Sequence, residues 1–331
     1  MKVLVTGSEG FIGSHLVSTL VKKGHEVTAL VQYNSFSNIG WLADLELEHL
    51  NRIKIIHGDV RDLNQLKFAM RECEAVIHLA ALIAIPYSYF APSSYIETNV
   101  NGTYNVLQAA KELGIKRVVH TSTSEVYGTA IKVPIDEGHP IQTQSPYSAS
   151  KSAADMLAYS FYCSFDLPVV TLRPFNVYGP RQSLRAVIPS LISQIVSGKK
   201  TILVGNTAST REFNYVTDTV TAFELALTAP DIEGETMNIG NSHEVLISEV
   251  INELQVISGS NFEIVIDDSR IRPEKSEVQR LLSESSKARK LLNWSADYSG
   301  QEGFSKGLRQ TFEWFSQTAN LAKYRNQENT L

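Results

Sequence analysis

Short apolar runs alternate with longer amphipathic runs through the first half of the chain. The apolar runs predict strands at residues 3–6, 27–31, 53–56, 75–79, 118–121 and 169–172. The amphipathic runs predict helices at residues 11–22, 63–71, 98–113 and 147–165. Because uninterrupted apolar strands separated by helices are typical of a parallel sheet covered on both faces, the pattern predicts an α/β, doubly wound fold.

The pattern changes after Pro174, where strands become short and scattered. Strands are predicted at residues 201–204 and 262–266, and helices at residues 186–196, 217–226, 248–257 and 300–315. We therefore predict a sheet-bearing unit over residues 1–174, to which part of residues 211–235 returns. Residues 175–331 are predicted to form a smaller, mixed α/β lobe, whose polar end, residues 323–331, is expected to fray.

The composition excludes several classes of protein. The 331 residues are 43% hydrophobic and 20% charged, with a net charge of -5, so no global basic surface attracts nucleic acid or an anionic membrane. No apolar stretch approaches the ~20 residues of a membrane span. The first residues form a strand-like run and lack the charged and apolar regions of a signal peptide, so no signal peptide is expected. Two cysteines outside any metal-ligand spacing favour a reducing, cytoplasmic location and predict no metal site.

A glycine loop lies between the first predicted strand and the first predicted helix. The run "VTGSEGFIGS" spaces Gly7, Gly10 and Gly13 three residues apart. Glycines at this junction let a pyrophosphate approach the amides at a helix N-terminus, which predicts a dinucleotide cofactor. Further cofactor contacts are expected from the start of the helix, the end of the third strand and the small residues that end the fourth: Phe11, Ile12, Asp59, Leu79, Ala80 and Ala81.

The end of the second predicted strand lacks a residue that such cofactors usually require. An acidic residue commonly stands there and binds the adenosine ribose. This chain has Val31-Gln32-Tyr33-Asn34-Ser35, with neither an acid nor an arginine. The absence of a cation favours NAD, and NADP stays open.

Tyr147 and Lys151 form the candidate reacting pair in "SPYSASKSAAD". Their spacing of four residues puts both side chains on one face of a helix. A neighbouring ammonium and a nicotinamide cation are expected to lower the pKa of the tyrosine, so that it takes a proton from a sugar hydroxyl. Thr123, after the fifth strand, is expected to hydrogen-bond the same oxygen.

With these motifs the chain resembles the extended short-chain dehydrogenase/reductase family, in particular its NAD-dependent nucleotide-sugar epimerases and dehydratases. The resemblance spans nearly the whole chain, through "VTGSEGFIGS", "GDVRD", "HLAA", "NVNGT", "TSTSEVYG", "YSASK", "RPFNVYGPRQ" and "REFNYVTD". It implies an NAD(P)-binding Rossmann domain followed by a nucleotide-sugar lobe, and adds Val60 and Asn99 to the cofactor contacts. It also implies a homodimer, in which helices 98–113 and 147–165 form a four-helix interface.

The pair Ser124-Glu125 distinguishes chemistries within that family. Epimerases usually lack a carboxylate there, whereas 4,6-dehydratases carry an acid/base pair. The resemblance implies that C4 of the sugar is oxidised, that Glu125 removes the C5 proton, and that water leaves from C6 with Ser124 or Glu125 supplying the proton. A UDP-glucuronate decarboxylase, which also carries Ser-Glu, a 4-epimerase and a catalytically silent nucleotide sensor are the alternatives.

Substrate contacts follow from the same resemblance. The diphosphate and nucleotide are expected at Asn176, Arg181, Ile188, Arg211 and Arg272, and the sugar at Pro86, Tyr87 and Ser88. The segments "IAIPYSY", "YNSFSNIGWL" and "RQSLRAVIP" are most similar to the dehydratases of the legionaminic acid pathway, which act on nucleotide-linked N-acetylglucosamine. The choice between GDP and UDP stays open.

Overall fold

A seven-stranded parallel sheet forms the centre of the molecule. The computed structural model describes residues 1–324; residues 325–331, most of the stretch expected to fray, lie outside it. From one edge to the other, the strands are Thr236–Ile239 (β11), Val169–Pro174 (β6), Arg117–Thr121 (β5), Ala75–His78 (β4), Lys2–Thr6 (β1), Glu26–Gln32 (β2) and Ile53–Gly58 (β3). The predicted doubly wound α/β fold is confirmed.

Helices cover both faces of this sheet because alternate strand residues point to opposite sides. Val3 and Val5 of β1 join a core with one group of helices, and Leu4 joins a separate core with the other. The first group is Phe11–Lys22 (α1), Val216–Thr228 (α9) and Ser286–Leu292 (α11). The second group is Leu63–Met70 (α3), Gly102–Leu113 (α6) and Pro146–Phe165 (α7).

Several short elements were not predicted from the sequence, and strand β11 and the start of α6 are the two differences that bear on the large sheet and the helices packed against it. Strand β11 was not predicted, because it is only four residues long and carries Asn238 in its middle. It pairs with β6, and the Asn238 side chain accepts a hydrogen bond from the Tyr127 hydroxyl at 2.8 Å. The helix predicted from residue 98 instead consists of Pro92–Tyr95 (α5), a π-helical turn Ile96–Asn101 and α6. Gly102 begins α6 in close contact with Val60, where a Cβ would lie 2.8 Å from the valine.

The rest of the chain forms a smaller lobe of short strand pairs and helices around its own core. Strand Val177–Tyr178 (β7) pairs with Asn214–Tyr215 (β10), Thr210–Glu212 (β9) with Glu244–Leu246 (β12), and Thr201–Val204 (β8) with Glu263–Ile266 (β13). The helices are Val187–Val196 (α8), Ile247–Ser258 (α10), Gly300–Ser316 (α12) and Thr318–Ala322 (α13). Helices Leu47–Leu50 (α2) and Ile85–Phe90 (α4) lie in the connections of the large sheet. Within residues 1–324, no helix has the length and apolarity that crossing a membrane requires.

Neighbouring strands β1 and β4 are the place where the order of the sheet reverses. The chain leaves β1 toward β2 on one side, and leaves β4 toward β5 on the other. A crevice opens at the carboxyl ends of strands at such a point, and ligands of open α/β sheets bind there. The glycine loop follows β1, and residues 79–81 follow β4, so the fold brings both predicted cofactor segments to this crevice.

We predict that Gly13→Ala destabilises the chain more than Gly10→Ala. A Cβ on Gly13 would lie 2.1 Å from the Gly7 carbonyl oxygen, whereas one on Gly10 would come no closer than 3.3 Å to it. Overpacking of this kind costs about 1–3 kcal/mol. Urea denaturation of both variants measures the difference, and equal free energies of unfolding would contradict the close approach seen here.

Candidate active site

The glycine loop is pressed against the end of β4. Gly7 has a φ of +65°, and a Cβ there would lie 2.9 Å from backbone atoms of Ala80. The Thr6 hydroxyl accepts hydrogen bonds from the amides of Leu79 and Ala80 at 3.2 and 3.1 Å. Helix α1 starts directly after this loop and has no acidic residue in its first turn. The arrangement fits the pyrophosphate of a dinucleotide, which needs close backbone approach and free helix N-terminal amides.

Other predicted cofactor residues lie around the same crevice with definite partners. The Asp59 carboxylate binds the guanidinium of Arg61 at 2.6 Å, and this bond holds the pKa of Asp59 below its usual value. Val60 is buried against Gly102. Asn99 uses its whole amide inside the protein, bonding both backbone groups of Leu82 and the Ser150 hydroxyl. Asn99 therefore holds the segment after β4 against α7.

Thr123, Ser124 and Glu125 follow β5 and form the start of a tight turn. The Thr123 hydroxyl accepts a hydrogen bond from the Glu125 amide at 3.3 Å and so caps the 3₁₀ turn Ser124–Tyr127. Glu125 is only 8% exposed. This burial argues against a solvated loop carboxylate. No group within residues 1–324 donates a hydrogen bond to the carboxylate of Glu125, which leaves it available to a substrate proton.

Helix α7 carries Tyr147 and Lys151 into the same site. Ser145 and Ser148 form a reciprocal capping box at its start, and Pro146 occupies the first helical position. This cap fixes the first turn, so Tyr147 lies at the edge of the Tyr95 ring, with centroids 6.2 Å apart. The Lys151 ammonium, one turn further, donates to the carbonyl of Thr121 at the end of β5.

Burial dominates the electrostatics of this pair. It raises the pKa of Tyr147 above its ordinary value, with the charge of Glu125 adding to the rise and a hydrogen bond with Thr123 opposing it. Burial also lowers the pKa of Lys151 to about 8, against the opposing charge of Asp155. The sequence led us to expect that the ammonium and a nicotinamide cation together lower this pKa, whereas in the protein alone burial raises it. The protein alone therefore keeps Tyr147 protonated at neutral pH.

Asp155 is a residue of the site that the sequence analysis missed. Its carboxylate accepts hydrogen bonds from Ser122 at 2.6 Å and from Arg173 at 3.0 Å, and it contacts His120 Nε2 at 3.1 Å. Burial alone would raise the pKa of Asp155, but His120, Arg173 and Ser122 together hold it below its usual value. A carboxylate one helical turn after Lys151 was a signal for this role, because that spacing puts it on the same face as the reacting pair.

The predicted nucleotide-binding arginines converge on one carboxylate in the small lobe. Arg211 donates to Glu277 at 2.8 Å, and Arg272 approaches the other oxygen of Glu277 at 3.9 Å. One atom of the Arg272 guanidinium, Nη1, is buried without a hydrogen-bond partner in residues 1–324. Asn176 lies nearby and donates to the carbonyl of Glu212 at 3.3 Å. Because Arg211 and Arg272 carry two positive charges and Glu277 only one negative charge, the cluster keeps a net positive charge that can bind a diphosphate.

The remaining predicted substrate residues occupy three different places. Pro86, Tyr87 and Ser88 lie on α4, where Pro86 and Tyr87 are exposed and Ser88 is buried. Arg181 donates to the Ser14 hydroxyl at 3.2 Å, which places it on the first turn of α1. Ile188 is buried in the core of the small lobe.

Comparison with known proteins agrees with this geometry. A family profile described as GDP-mannose 4,6 dehydratase matches residues 4–307. The chain belongs to this family. It is an enzyme of the NAD-dependent nucleotide-sugar group of extended short-chain dehydrogenases/reductases, a group that contains 4,6-dehydratases, decarboxylases and epimerases.

Relatives of this family show all three chemistries. The dTDP-D-glucose 4,6-dehydratase of Mus musculus is 32% identical over 338 residues, covering 100% of this chain and 92% of the relative. The UDP-N-acetyl-alpha-D-glucosaminuronate decarboxylase of Bacillus cytotoxicus is 31% identical, covering 96% and 99%. A UDP-glucuronic acid 4-epimerase from Bacillus cereus, solved with NAD, has a TM-score of 0.86 at 30% identity, covering 96% and 99%.

A solved dehydratase of the family also resembles this chain closely. The dTDP-glucose 4,6-dehydratase DesIV from Streptomyces venezuelae, solved with NAD, has a TM-score of 0.85 at 30% identity, covering 97% of this chain and 98% of the other. Because fold and length are shared across these chemistries, the reaction of this chain is decided by individual site residues and not by the scaffold.

We predict that Asp155→Asn destabilises the enzyme by about 3–5 kcal/mol, because it leaves the buried Arg173 charge without its carboxylate. It should also lower the pKa of Lys151 below its present value of about 8, since Asp155 is the charge that raises it. An activity that needs the ammonium form of Lys151 is lost as the pH rises through this pKa, so in the variant that loss should begin at a lower pH than in the wild type. Urea denaturation and a pH–rate profile measure the two effects.

Asp166→Asn is the matched control for this prediction. It makes the same change at the exposed end of α7, at a left-handed position that asparagine tolerates. An Asp155→Asn variant that matches this control in stability and in pH profile would show that the buried carboxylate is dispensable.

Proposed function

We propose that this enzyme is an NAD-dependent nucleotide-sugar 4,6-dehydratase that converts an N-acetylglucosamine linked to GDP or UDP into the 4-keto-6-deoxy sugar. The observation that carries the proposal is the position of Glu125. Its carboxylate is buried in the turn that Thr123 caps, and its charge acts on Tyr147. A plain oxidoreductase or a 4-epimerase has no use for a second base at that point.

The residues around the crevice fit the proposed cofactor. The glycine loop and the first turn of α1 would hold the pyrophosphate, and Leu79, Ala80 and Ala81 would lie along the dinucleotide at the end of β4. The chemistry that NAD supplies when bound is acceptance and return of a hydride, together with a positive charge. That charge would oppose the burial that keeps Tyr147 protonated.

The site residues divide the proton transfers of the proposed reaction among them. Tyr147 takes the proton of the C4 hydroxyl while Thr123 hydrogen-bonds the same oxygen, and C4 becomes a ketone. The ketone makes the C5 proton acidic, and Glu125 removes it. Glu125 then returns this proton to the C6 hydroxyl, which leaves as water with Ser124 positioning it. Hydride adds at C6 and a solvent proton adds at C5, so the sugar loses one water in total.

The nucleotide would bind across the small lobe. Arg211 and Arg272, which share the carboxylate of Glu277, provide the cations for its diphosphate. The N-acetylglucosamine unit rests on the resemblance to legionaminic acid dehydratases. The related dehydratases act on dTDP-glucose, so the sugar and the base are what the substrate experiment must decide.

A decarboxylase acting on a UDP-uronate is the second candidate, because one cation supports it. Burial raises the pKa of Tyr95, and the charge of Arg185 opposes part of that rise, which places Arg185 close to this tyrosine. Tyr95 in turn contacts Tyr147, so Arg185 is near the expected sugar site. Residues 83–88, which are also expected near the sugar, include no positively charged side chain. A uronate carboxylate needs such a cation.

We also propose a cytoplasmic homodimer built on α6 and α7. Both helices carry large apolar side chains that stay exposed in the single chain: Tyr104, Leu113, Met156, Tyr159 and Phe165. Their position on neighbouring helices is suited to a four-helix interface with a second copy.

We predict that Glu125→Gln keeps C4 oxidation but slows loss of water about 100-fold to 10,000-fold, the usual contribution of a positioned base. Incubation of the enzyme with UDP- and GDP-linked N-acetylglucosamine in deuterium oxide, followed by mass spectrometry, measures water loss and deuterium at C5. Tyr147→Phe is the control and should lose oxidation as well. Normal exchange at C5 in Glu125→Gln would remove this residue from the mechanism.

The same mass spectra decide between the two candidate reactions. A dehydratase product is lighter than its substrate by one water, whereas UDP-glucuronate and its N-acetylated analogue would lose carbon dioxide in a decarboxylase. We expect water loss from the N-acetylglucosamine nucleotides and no change in the uronates. Carbon dioxide release without water loss would reject the dehydratase.

We predict that Tyr159→Glu converts the dimer into a monomer, because a buried carboxylate without a partner is costly at an interface. Analytical ultracentrifugation measures the mass. Phe68→Glu is the control, because Phe68 is an equally exposed aromatic residue that lies on α3 and not on either helix of the proposed interface. A monomeric wild-type enzyme, or a Tyr159→Glu variant that remains dimeric, would reject this interface.

A further inference from the structure

The end of β2 offers no carboxylate to an adenosine ribose. Val31, near this end, is completely buried in the core that includes α1. Asn34, three residues later, uses its side-chain amide for hydrogen bonds within its own loop, to backbone groups of Gln32, Phe36 and Asn38. Dinucleotide-binding sheets usually place an acidic residue here. A different element must supply that charge if the chain recognises the ribose in the usual chemical way.

Glu9 of the glycine loop brings a carboxylate to this place. Its Oε1 accepts a hydrogen bond from the backbone amide of Gln32 at 2.8 Å. The preceding Ser8 donates to the carbonyl of Leu30 at 2.9 Å. These two contacts lay the loop along the last residues of β2, so the Glu9 side chain stands at the strand end where the acid is missing.

The second oxygen of Glu9 has no partner. Oε2 is buried and receives no hydrogen bond from residues 1–324. The turn Gly40–Asp44 packs against the backbone and Cβ of Glu9: Trp41 donates its amide to the Glu9 carbonyl at 3.0 Å, and a Cβ on Gly40 would lie 2.9 Å from the Glu9 Cβ. Buried carboxylate oxygens are rarely left unbonded, because the missing donors are costly. A ribose diol supplies two hydroxyl donors.

The charge balance at this end of the sheet disfavours a phosphate on the ribose. Arg61, which follows β3, is a nearby candidate cation. The Asp59 carboxylate accepts hydrogen bonds from this guanidinium at 2.6, 3.0 and 3.1 Å, which neutralises the charge of Arg61. A 2′-phosphate would therefore meet the unneutralised carboxylate of Glu9 without a free cation from Arg61 to offset it.

We propose that Glu9 is the specificity residue for the cofactor: its carboxylate accepts hydrogen bonds from the adenosine ribose hydroxyls and repels a 2′-phosphate. The glycine loop thus performs a task that the second strand usually performs. The inference rests on the proposed binding of a dinucleotide and extends it to the choice of NAD over NADP.

Calorimetric titration of cofactor-free enzyme with ADP-ribose and with 2′-phospho-ADP-ribose tests this proposal. Both ligands lack the nicotinamide, so the result does not depend on the catalytic residues. Wild-type enzyme should bind ADP-ribose more tightly by at least about tenfold, the effect of one charge-assisted hydrogen bond. Glu9→Gln keeps an acceptor for the Gln32 amide but loses the charge, so the preference should fall by about tenfold or more.

Glu26→Gln provides the matched control. It removes a carboxylate from the other end of β2, where Glu26 is exposed and faces Lys2 at 3.8 Å. It should leave both affinities unchanged. Circular dichroism and thermal melting confirm that the variants are folded, and the wild-type comparison needs no variant.

Three results would overturn the proposal. These are equal wild-type affinities for the two ligands, a folded Glu9→Gln variant with an unchanged preference, or wild-type enzyme that binds neither ligand. The last would also reject the dinucleotide cofactor. Selective binding of ADP-ribose by an enzyme that fails to dehydrate any sugar nucleotide would keep the role of Glu9 and reject the dehydratase alone.

Discussion

The catalytic arrangement depends on one buried carboxylate. Asp155 of α7 binds Ser122 after β5 and Arg173 of β6, and it contacts His120 within β5. Tyr147 and Lys151 lie on that helix, and Thr123 and Glu125 follow that strand. The distance between the two halves of the site is therefore set largely by bonds to this side chain, with the bond from Lys151 to the Thr121 carbonyl beside them. A buried ion pair of this kind contributes little net stability but specifies one geometry.

Burial also sets the protonation of Tyr147 and Lys151. It keeps Tyr147 protonated and lowers the pKa of Lys151 to about 8, so the Lys151 ammonium loses its proton more readily than that of an ordinary lysine. A cationic cofactor and an anionic substrate would change that balance when they bind. In the proposed reaction, a site that reacts only when it is filled would protect the ketone intermediate from solvent.

The cofactor crevice follows from backbone contacts more than from side chains. Gly7 and Gly13 allow the loop to lie against the end of β4, and Thr6 bonds the amides there. The same loop extends Ser8 and Glu9 along β2. One short segment thus joins three strands, and this explains why a residue within it can take over a role from the end of a neighbouring strand. The small lobe adds Arg181 against the first turn of α1.

The sequence alone determined the parallel sheet, its six apolar strands and the glycine loop, because periodicity and spacing are local properties. It also predicted the groups Tyr147, Lys151 and Thr123, and the resemblance to a known family added Glu125. Tertiary structure alone decided the seventh strand, which forms through pairing with β6 and the bond from Tyr127 to Asn238. Tertiary structure also decided that the pKa of Tyr147 is raised, that Asp155 bonds β5 and β6, and that the Glu9 carboxylate lies at the end of β2. These depend on burial and on contacts between residues distant in sequence. The spacing of Asp155 from Lys151 indicates a shared helix face, but no local pattern gives its partners.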